Sequence, residues 1–275
     1  MAKRTNGQDG TPTALAPQPE GSTALAPLED MTELDGFGQS DIVIPVCSLV
    51  QPMSQGKGTP GQYGFPDGRS VAEMRVVVVH MMPTRAAWGD ISEGIQEPLC
   101  RSADRKAGYS RYPERIATGA TGEQPLDQGV ELSCVDCPLG PTNRTFQKRA
   151  DGLWCPDGYT LLLADFQTAQ PFMFYVKGMA FKEVKAKIVS PTITRSRQSG
   201  QYEPWSLSYL WQIKLIEQPG KKYYVPEIMP DGELEPAHAA YYAAMYAELG
   251  SRAKAQTLDE PEPAPVEESA PGLDL

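Results

Sequence analysis

Histidine is scarce: the 275-residue chain holds only His80 and His238, which leaves little imidazole for general acid–base work near neutral pH. There is no Gly-rich phosphate loop, no His-Glu helix motif and no Ser or Cys in a nucleophile setting. Gly56-Lys57-Gly58-Thr59 resembles half of a P-loop, but it lacks the upstream glycine and runs into Pro60-Gly61. Asp104, Asp136 and Asp165 follow no magnesium-binding pattern. These absences argue against an enzyme. No apolar run approaches the roughly eighteen residues that a membrane-spanning helix needs. Met1-Ala2-Lys3-Arg4-Thr5 is not followed by the apolar stretch of a secretory signal. A soluble, cytoplasmic protein without disulfides is expected.

Cysteine is also sparse, but it is concentrated. Of five cysteines, Cys100, Cys134, Cys137 and Cys155 follow the spacing Cys-x33-Cys-x2-Cys-x17-Cys. Two residues between Cys134 and Cys137 let one turn point both sulfurs at one ion, and Cys100 and Cys155 would complete a tetrahedron around structural Zn2+. A closed four-thiolate site leaves no position for catalytic water. Pro138-Leu139-Gly140-Pro141 follows the pair, where a redox motif would open a helix. Cys47 directly follows the apolar run Ile42 to Val46 and reads as a buried small hydrophobe.

The net charge is −10, unevenly spread. Residues 71–215 carry seventeen basic against fifteen acidic side chains, residues 1–70 four against eight, and residues 216–275 four against twelve. No basic residue follows Lys254, whereas Asp259, Glu260, Glu262, Glu267, Glu268 and Asp274 do. Residues 1–40 are rich in Gly, Pro, Thr and Ala, with Thr13-Ala14-Leu15-Ala16-Pro17 echoed at Thr23 to Pro27. Three segments are expected: a disordered 1–40, a folded 41–250 with a zinc-binding insertion at about 98–158, and a disordered acidic tail 251–275.

The β-branched run Met74 to His80 reads as a buried strand, with Asp41 to Val50 as its neighbour. From Pro83 to Gly158 periodicity is lost, which suits a metal-held insertion with no core of its own. Tyr159 to Phe166 and Pro171 to Lys177 form a hairpin pattern, and Ala180 to Val189 a short amphipathic helix. Trp205 to Ile216 and Lys222 to Ile228 form a second hairpin around Pro219-Gly220, and a last helix runs from Glu233 to Leu249, ended by Gly250. Strands, a helix, then a final hairpin is the order of a five-stranded Greek-key barrel of the OB type. The expected fold is mainly β with α: an OB-like barrel with a four-cysteine zinc-ribbon insertion and a C-terminal helix. A generic α+β sheet domain fits the same pattern.

Such a barrel binds single strands through a basic groove with stacking aromatics. One candidate cluster holds Lys177, Lys182, Lys185, Lys187, Arg195 and Arg197 against the lone Glu183, with Tyr175, Tyr202, Trp205 and Trp211 nearby. A second holds Arg101, Arg105, Lys106, Tyr109, Arg111 and Tyr112, with Tyr109 and Tyr112 expected to be exposed. Arg144, Lys148 and Arg149 would extend this surface. Packing in the core is the competing reading for Trp205 and Trp211, and a solvated helix face for the lysines.

With the Cys100/Cys134/Cys137/Cys155 insertion, the sheet and helix of 159–228 and the tail of 259–275, the chain resembles the single-stranded DNA-binding proteins of bacteriophages and related mobile elements. The resemblance implies protection of single-stranded DNA in replication or recombination in a bacterial host's cytoplasm. It also implies recruitment of partner proteins through residues 259–275, although the tail ends in Leu275 with no terminal aromatic. The other class kept open is a zinc-braced adaptor of replication or transcription machinery with no DNA groove.

Overall fold

The computed structural model describes residues 43–52, 58–89, 98–119, 122–139 and 153–259. The N-terminal segment 1–40, the Gly56-Lys57 pair, the basic residues between 143 and 149 and the acidic residues from Glu260 onward lie outside the described residues.

The strands are β1 (Val46–Leu49), β2 (Tyr63–Gly64), β3 (Ser70–Val71), β4 (Met74–Ala87), β5 (Cys100–Ser102), β6 (Ala107–Ser110), β7 (Val130–Ser133), β8 (Asp157–Asp165), β9 (Pro171–Val176), β10 (Leu207–Gln218) and β11 (Lys221–Glu233). The helices are α1 (Pro113–Thr118), α2 (Gly178–Val184), α3 (Ser190–Ser199) and α4 (Pro236–Asp259). The fold is mainly β, as expected, around one mixed open sheet. Its strand order is β3-β2-β1-β9-β8-β4-β5-β6-β7, with β10 on β4 and β11 on β10.

Strand β4 organises the sheet. It pairs with β8 along most of its length, and its other edge is shared by β10 at Met74–Val77 and β5 at Arg85–Ala87. The β4–β8 register shifts between Val78 and His80, and such a bulge bends a long strand enough to serve two partners. Met74, Val76, Val78 and Met81 of β4 and Tyr159, Leu161 and Leu163 of β8 face the main core, with Phe172, Phe174 and Trp211. The rings of Tyr63, Phe174 and Trp211 pack there at centroid distances of 5.2 to 6.3 Å. Cys47 is buried in this core, in the role expected of it.

Val77, Val79, Thr160 and Leu162 point to the opposite face and are buried as well, because α4 packs on β4 and β8. The helix can do so because Tyr242, Met245, Leu249, Ala253 and Gln256 recur every three or four residues on one of its faces. Gln256 accepts the Ile44 N–H at 3.0 Å and donates to the Ile44 carbonyl at 2.7 Å, satisfying a buried backbone pair as a strand would.

Several expectations are corrected. The segment ending at Val50 is not the neighbour of β4: β1 pairs in parallel with β9, at Val46↔Met173 and Cys47↔Phe174. The middle helix continues past Ser190-Pro191, because a π-turn at Lys185–Val189 shifts the hydrogen-bond ladder where Pro191 has no N–H and its ring crowds the preceding turn. The last helix runs from Pro236 through Gly250 to Asp259, so residues 251–259 are helix rather than tail. The insertion has β5, β6, α1 and β7, and a small core of Ala87, Leu99, Tyr112, Ile116, Leu139 and Leu153. Among the described residues, no helix is long and apolar enough to cross a membrane.

Candidate metal centre and nucleic-acid interface

The fold brings the four clustered cysteines to one cavity. Cys100 lies in β5 opposite Ala87 of β4 and Ser110 of β6. Cys134 extends the β6–β7 ladder, its N–H donating to the Lys106 carbonyl at 2.8 Å. The turn to Cys137 is held by Ser133, which donates to the Asp136 carboxylate at 2.8 Å and accepts the Asp136 N–H at 3.3 Å. Cys155 follows Trp154, whose backbone bridges to Trp88 in both directions at 2.7 and 3.2 Å. All four side chains line the cavity, with Arg85 beside them.

The sulfurs sense one another. Burial pushes the Cys100 thiol up to about 12, and Cys134 and Cys137 add to the shift. Burial also raises Cys155, helped by Cys100 and opposed by Arg85, and raises Cys134. A Cβ on Gly108 would stand 2.8 Å from Cys100 Sγ and 3.3 Å from Cys134 Sγ, so the absent side chain is what leaves room for both sulfurs. Among the described residues, no three His, Cys, Asp or Glu side chains are drawn together tightly enough to hold an ion as they stand. The four thiols thus share a cavity without closing on one point. Such a donor set could hold a thiophilic divalent ion if the sulfurs converge.

A cleft opens beside this cavity, on the sheet face that α4 covers elsewhere. Thr84, Trp88, Arg101, Thr160, Tyr175 and Lys177 line it, and Thr257 of α4 closes one end. It is a shallow, open cleft, with about 490 Å³ of empty space when the solvent at its mouth is included. Lys177 Nζ lies 5.4 Å from the Trp88 ring centroid, and Arg101 donates to the Leu258 carbonyl at 3.4 Å.

Arg101 and Lys177, from the two separate basic clusters, therefore meet in this cleft. Other candidates do not join them. Arg105 is spent on the scaffold: it donates to the carbonyls of Thr84, at 3.2 Å, and Gly158, and stacks 4.8 Å over the Tyr159 ring. Tyr112 is 6% exposed in the insertion's core, and Trp205 is 8% exposed against Tyr246 at 5.3 Å. Neither ring offers a face to a base. Tyr109 is 44% exposed and donates to Glu131 at 2.9 Å, which raises its hydroxyl's affinity for the proton. Lys106 and Arg111 are exposed on the insertion, with Arg111 donating to the Leu126 carbonyl at 2.7 Å. Lys182, Lys185, Lys187 and Arg197 are placed along the α2–α3 helix, where Arg195 is half-buried against Thr192.

Sequence reasoning does not find Trp88, Thr84 and Thr160. Trp88 directly follows β4 among Ala86, Ala87 and Gly89, and nothing local marks it as the wall of a cleft. Comparison with protein-family models, curated proteins and solved structures returns no match to the chain.

Proposed function

We propose that the chain is a single-stranded DNA-binding protein, built on an OB-like barrel whose first two strands are separated by a zinc-braced insertion. The observation that carries this reading is strand order. In sequence, β4, β8 and β9 form an antiparallel meander, a helix follows, and β10 and β11 form a hairpin whose first strand returns to β4. That is the succession of the five barrel strands, with the insertion between the first and second. Here β1 stands beside β9, where the third and fifth strands of a barrel would meet. Gln51, just beyond β1, bridges to β11 by accepting the Tyr224 N–H at 2.9 Å and donating to the Tyr224 carbonyl at 3.0 Å.

In such barrels the second and third strands and the loop between the first two bear the ligand. Here the corresponding surface is the cleft holding Arg101, Tyr175 and Lys177. Two cations suit the phosphate backbone of a single strand, and Tyr175 supplies an aromatic. In this reading Cys100, Cys134, Cys137 and Cys155 would hold Zn2+ as four thiolate donors and so tie the insertion's strands together. The ion braces the insertion, and no catalytic step is involved. The resemblance to phage and mobile-element proteins, and partner recruitment through residues 259–275, belong to the same proposal.

The test is fluorescence anisotropy of labelled oligo-dT with zinc-loaded protein at several salt concentrations and duplex DNA as competitor. Binding that prefers the single strand and weakens with salt, by a log–log slope of about 0.7 per phosphate contact, supports the reading. Absent or salt-insensitive binding refutes it. The burial of Tyr112 and Trp205 favours the second reading, a zinc-braced adaptor without a groove, which the negative result would leave standing.

A further inference from the structure

The cysteine cavity and the cleft share a wall. Arg85, Arg101 and Ser102 line both. The wall is the β4–β5 ladder, with rungs Arg85↔Ser102, Ala86↔Arg101 and Ala87↔Cys100. Strand alternation sends the Cys100 and Arg101 side chains to opposite faces, so a ligand of the cysteine cluster and a cation of the cleft are consecutive residues of one three-residue strand.

We propose that a metal ion on Cys100, Cys134, Cys137 and Cys155 sets the affinity of the cleft for single-stranded DNA through this wall, so that metal and nucleic acid bind cooperatively. The inference rests on the function proposed above and goes beyond it by making the ion a positioning element for Arg101.

A three-residue strand has little capacity to absorb a displacement internally. Drawing Cys100 Sγ toward its partners must therefore move or immobilise the peptide that carries Arg101. The remaining supports of the wall tie it to both cavities. Ser102 Oγ accepts the N–H of Arg105 at 2.8 Å and donates to the Asp104 carboxylate at 3.3 Å, while its side chain lines both cavities. Arg85 donates to Asp157 at 2.6 Å, fastening the wall to β8, the floor of the cleft. Without the cross-link, the ordering of β5 falls to the incoming strand of DNA and subtracts from its affinity; with it, the wall is already ordered. Linkage makes the effect reciprocal, so bound DNA must tighten metal retention by the same factor.

The experiment uses the full-length zinc-loaded protein and follows zinc transfer to a chromophoric chelator at equilibrium, with and without oligo-dT. Saturation with oligo-dT is monitored by anisotropy. The expected result is zinc held about five-fold tighter or more in the complex. Arg101→Ala, taken to saturation with more oligo-dT, should lose that gain. Lys177→Ala, which weakens oligo-dT binding from the cleft side away from the wall, should keep it. If oligo-dT binds but shifts zinc retention by less than about two-fold, or if Arg101→Ala keeps the full shift, the coupling is wrong. If oligo-dT does not bind at all, the proposed function fails and the coupling falls with it. If the protein takes up no zinc, it is the metal reading that fails, and the coupling with it.

Discussion

Gly108→Ala should weaken metal binding while leaving the main sheet folded. The added Cβ would stand 2.8 Å from Cys100 Sγ and 3.3 Å from Cys134 Sγ, and 3.4 Å from the Arg101 carbonyl. In the metal-free protein the two thiols can rotate away from it, so the fold loses little. With an ion bound, ligand distances hold to about 0.2 Å, and neither sulfur can retreat. The full overpacking cost of about 1 to 3 kcal/mol then falls on the metal-bound state, which corresponds to about a 5- to 150-fold loss of affinity. The assay is chelator competition for zinc, with urea unfolding of the metal-free proteins as the stability control. Gly129→Ala is the matched comparison, because its Cβ would meet nothing nearer than the Ser110 carbonyl at 3.6 Å, an ordinary contact. Wild-type zinc affinity in Gly108→Ala would refute the placement of the sulfurs around that glycine.

Arg105→Ala should cost stability and leave the salt dependence of oligo-dT binding unchanged, whereas Arg101→Ala should lower the salt slope by about 0.7; equal slopes in both variants would contradict the division between brace and cleft. Trp211→Ala, in the middle of the main core, should destabilise by about 3 to 5 kcal/mol in urea unfolding. Gln256→Ala strips both hydrogen bonds from the buried Ile44 backbone and should cost about 1 to 3 kcal/mol, read as faster amide exchange at Ile44 and in the last turns of α4. Burial and the nearby Lys254 hold the His80 pKa below its ordinary value. The folded state therefore resists protonation, and His80's contribution is complete above an unfolded pKa of about 6.5 and is lost as pH falls below it, at no more than about 1.4 kcal/mol per pH unit. Comparing wild type with His80→Gln at pH values of about 7.5 and about 5.5, on either side of that unfolded value, checks this, and an equal loss in both proteins would remove His80 as its source.

Local pattern is a good guide wherever the structure depends on consecutive residues. The β8–β9 hairpin and the β10–β11 hairpin fall where alternation and turn residues place them, with Gly220 in the left-handed region at φ 77°. Local pattern misleads where a distant partner decides the outcome. Gly250 looks like a helix stop, yet α4 continues because Ala253, Gln256 and Thr257 are buried beyond it. Tyr112 stands in a polar stretch that suggests the surface, but Leu99, Leu139 and Leu153 come from elsewhere in the chain to cover it. The expected helix stops at Val189, yet helix continues to Ser199 because the π-turn at Lys185–Val189 absorbs the donor that Pro191 lacks.

The mainly β character, the order of strands and helices after residue 158, the grouping of four of the five cysteines and the uneven charge are legible in the amino-acid order, because each is a property of composition or of short-range spacing; the strands and helix of the insertion are not. Only the tertiary structure decided that α4 occupies one face of the β4–β8 sheet, that Arg101 and Lys177 meet in what it leaves uncovered, and that Arg105 is consumed as a brace. Those outcomes depend on which strands pair and in what register. Pairing energies are summed over residues far apart in the chain, and a one-residue slip would send every side chain of a strand to the other face.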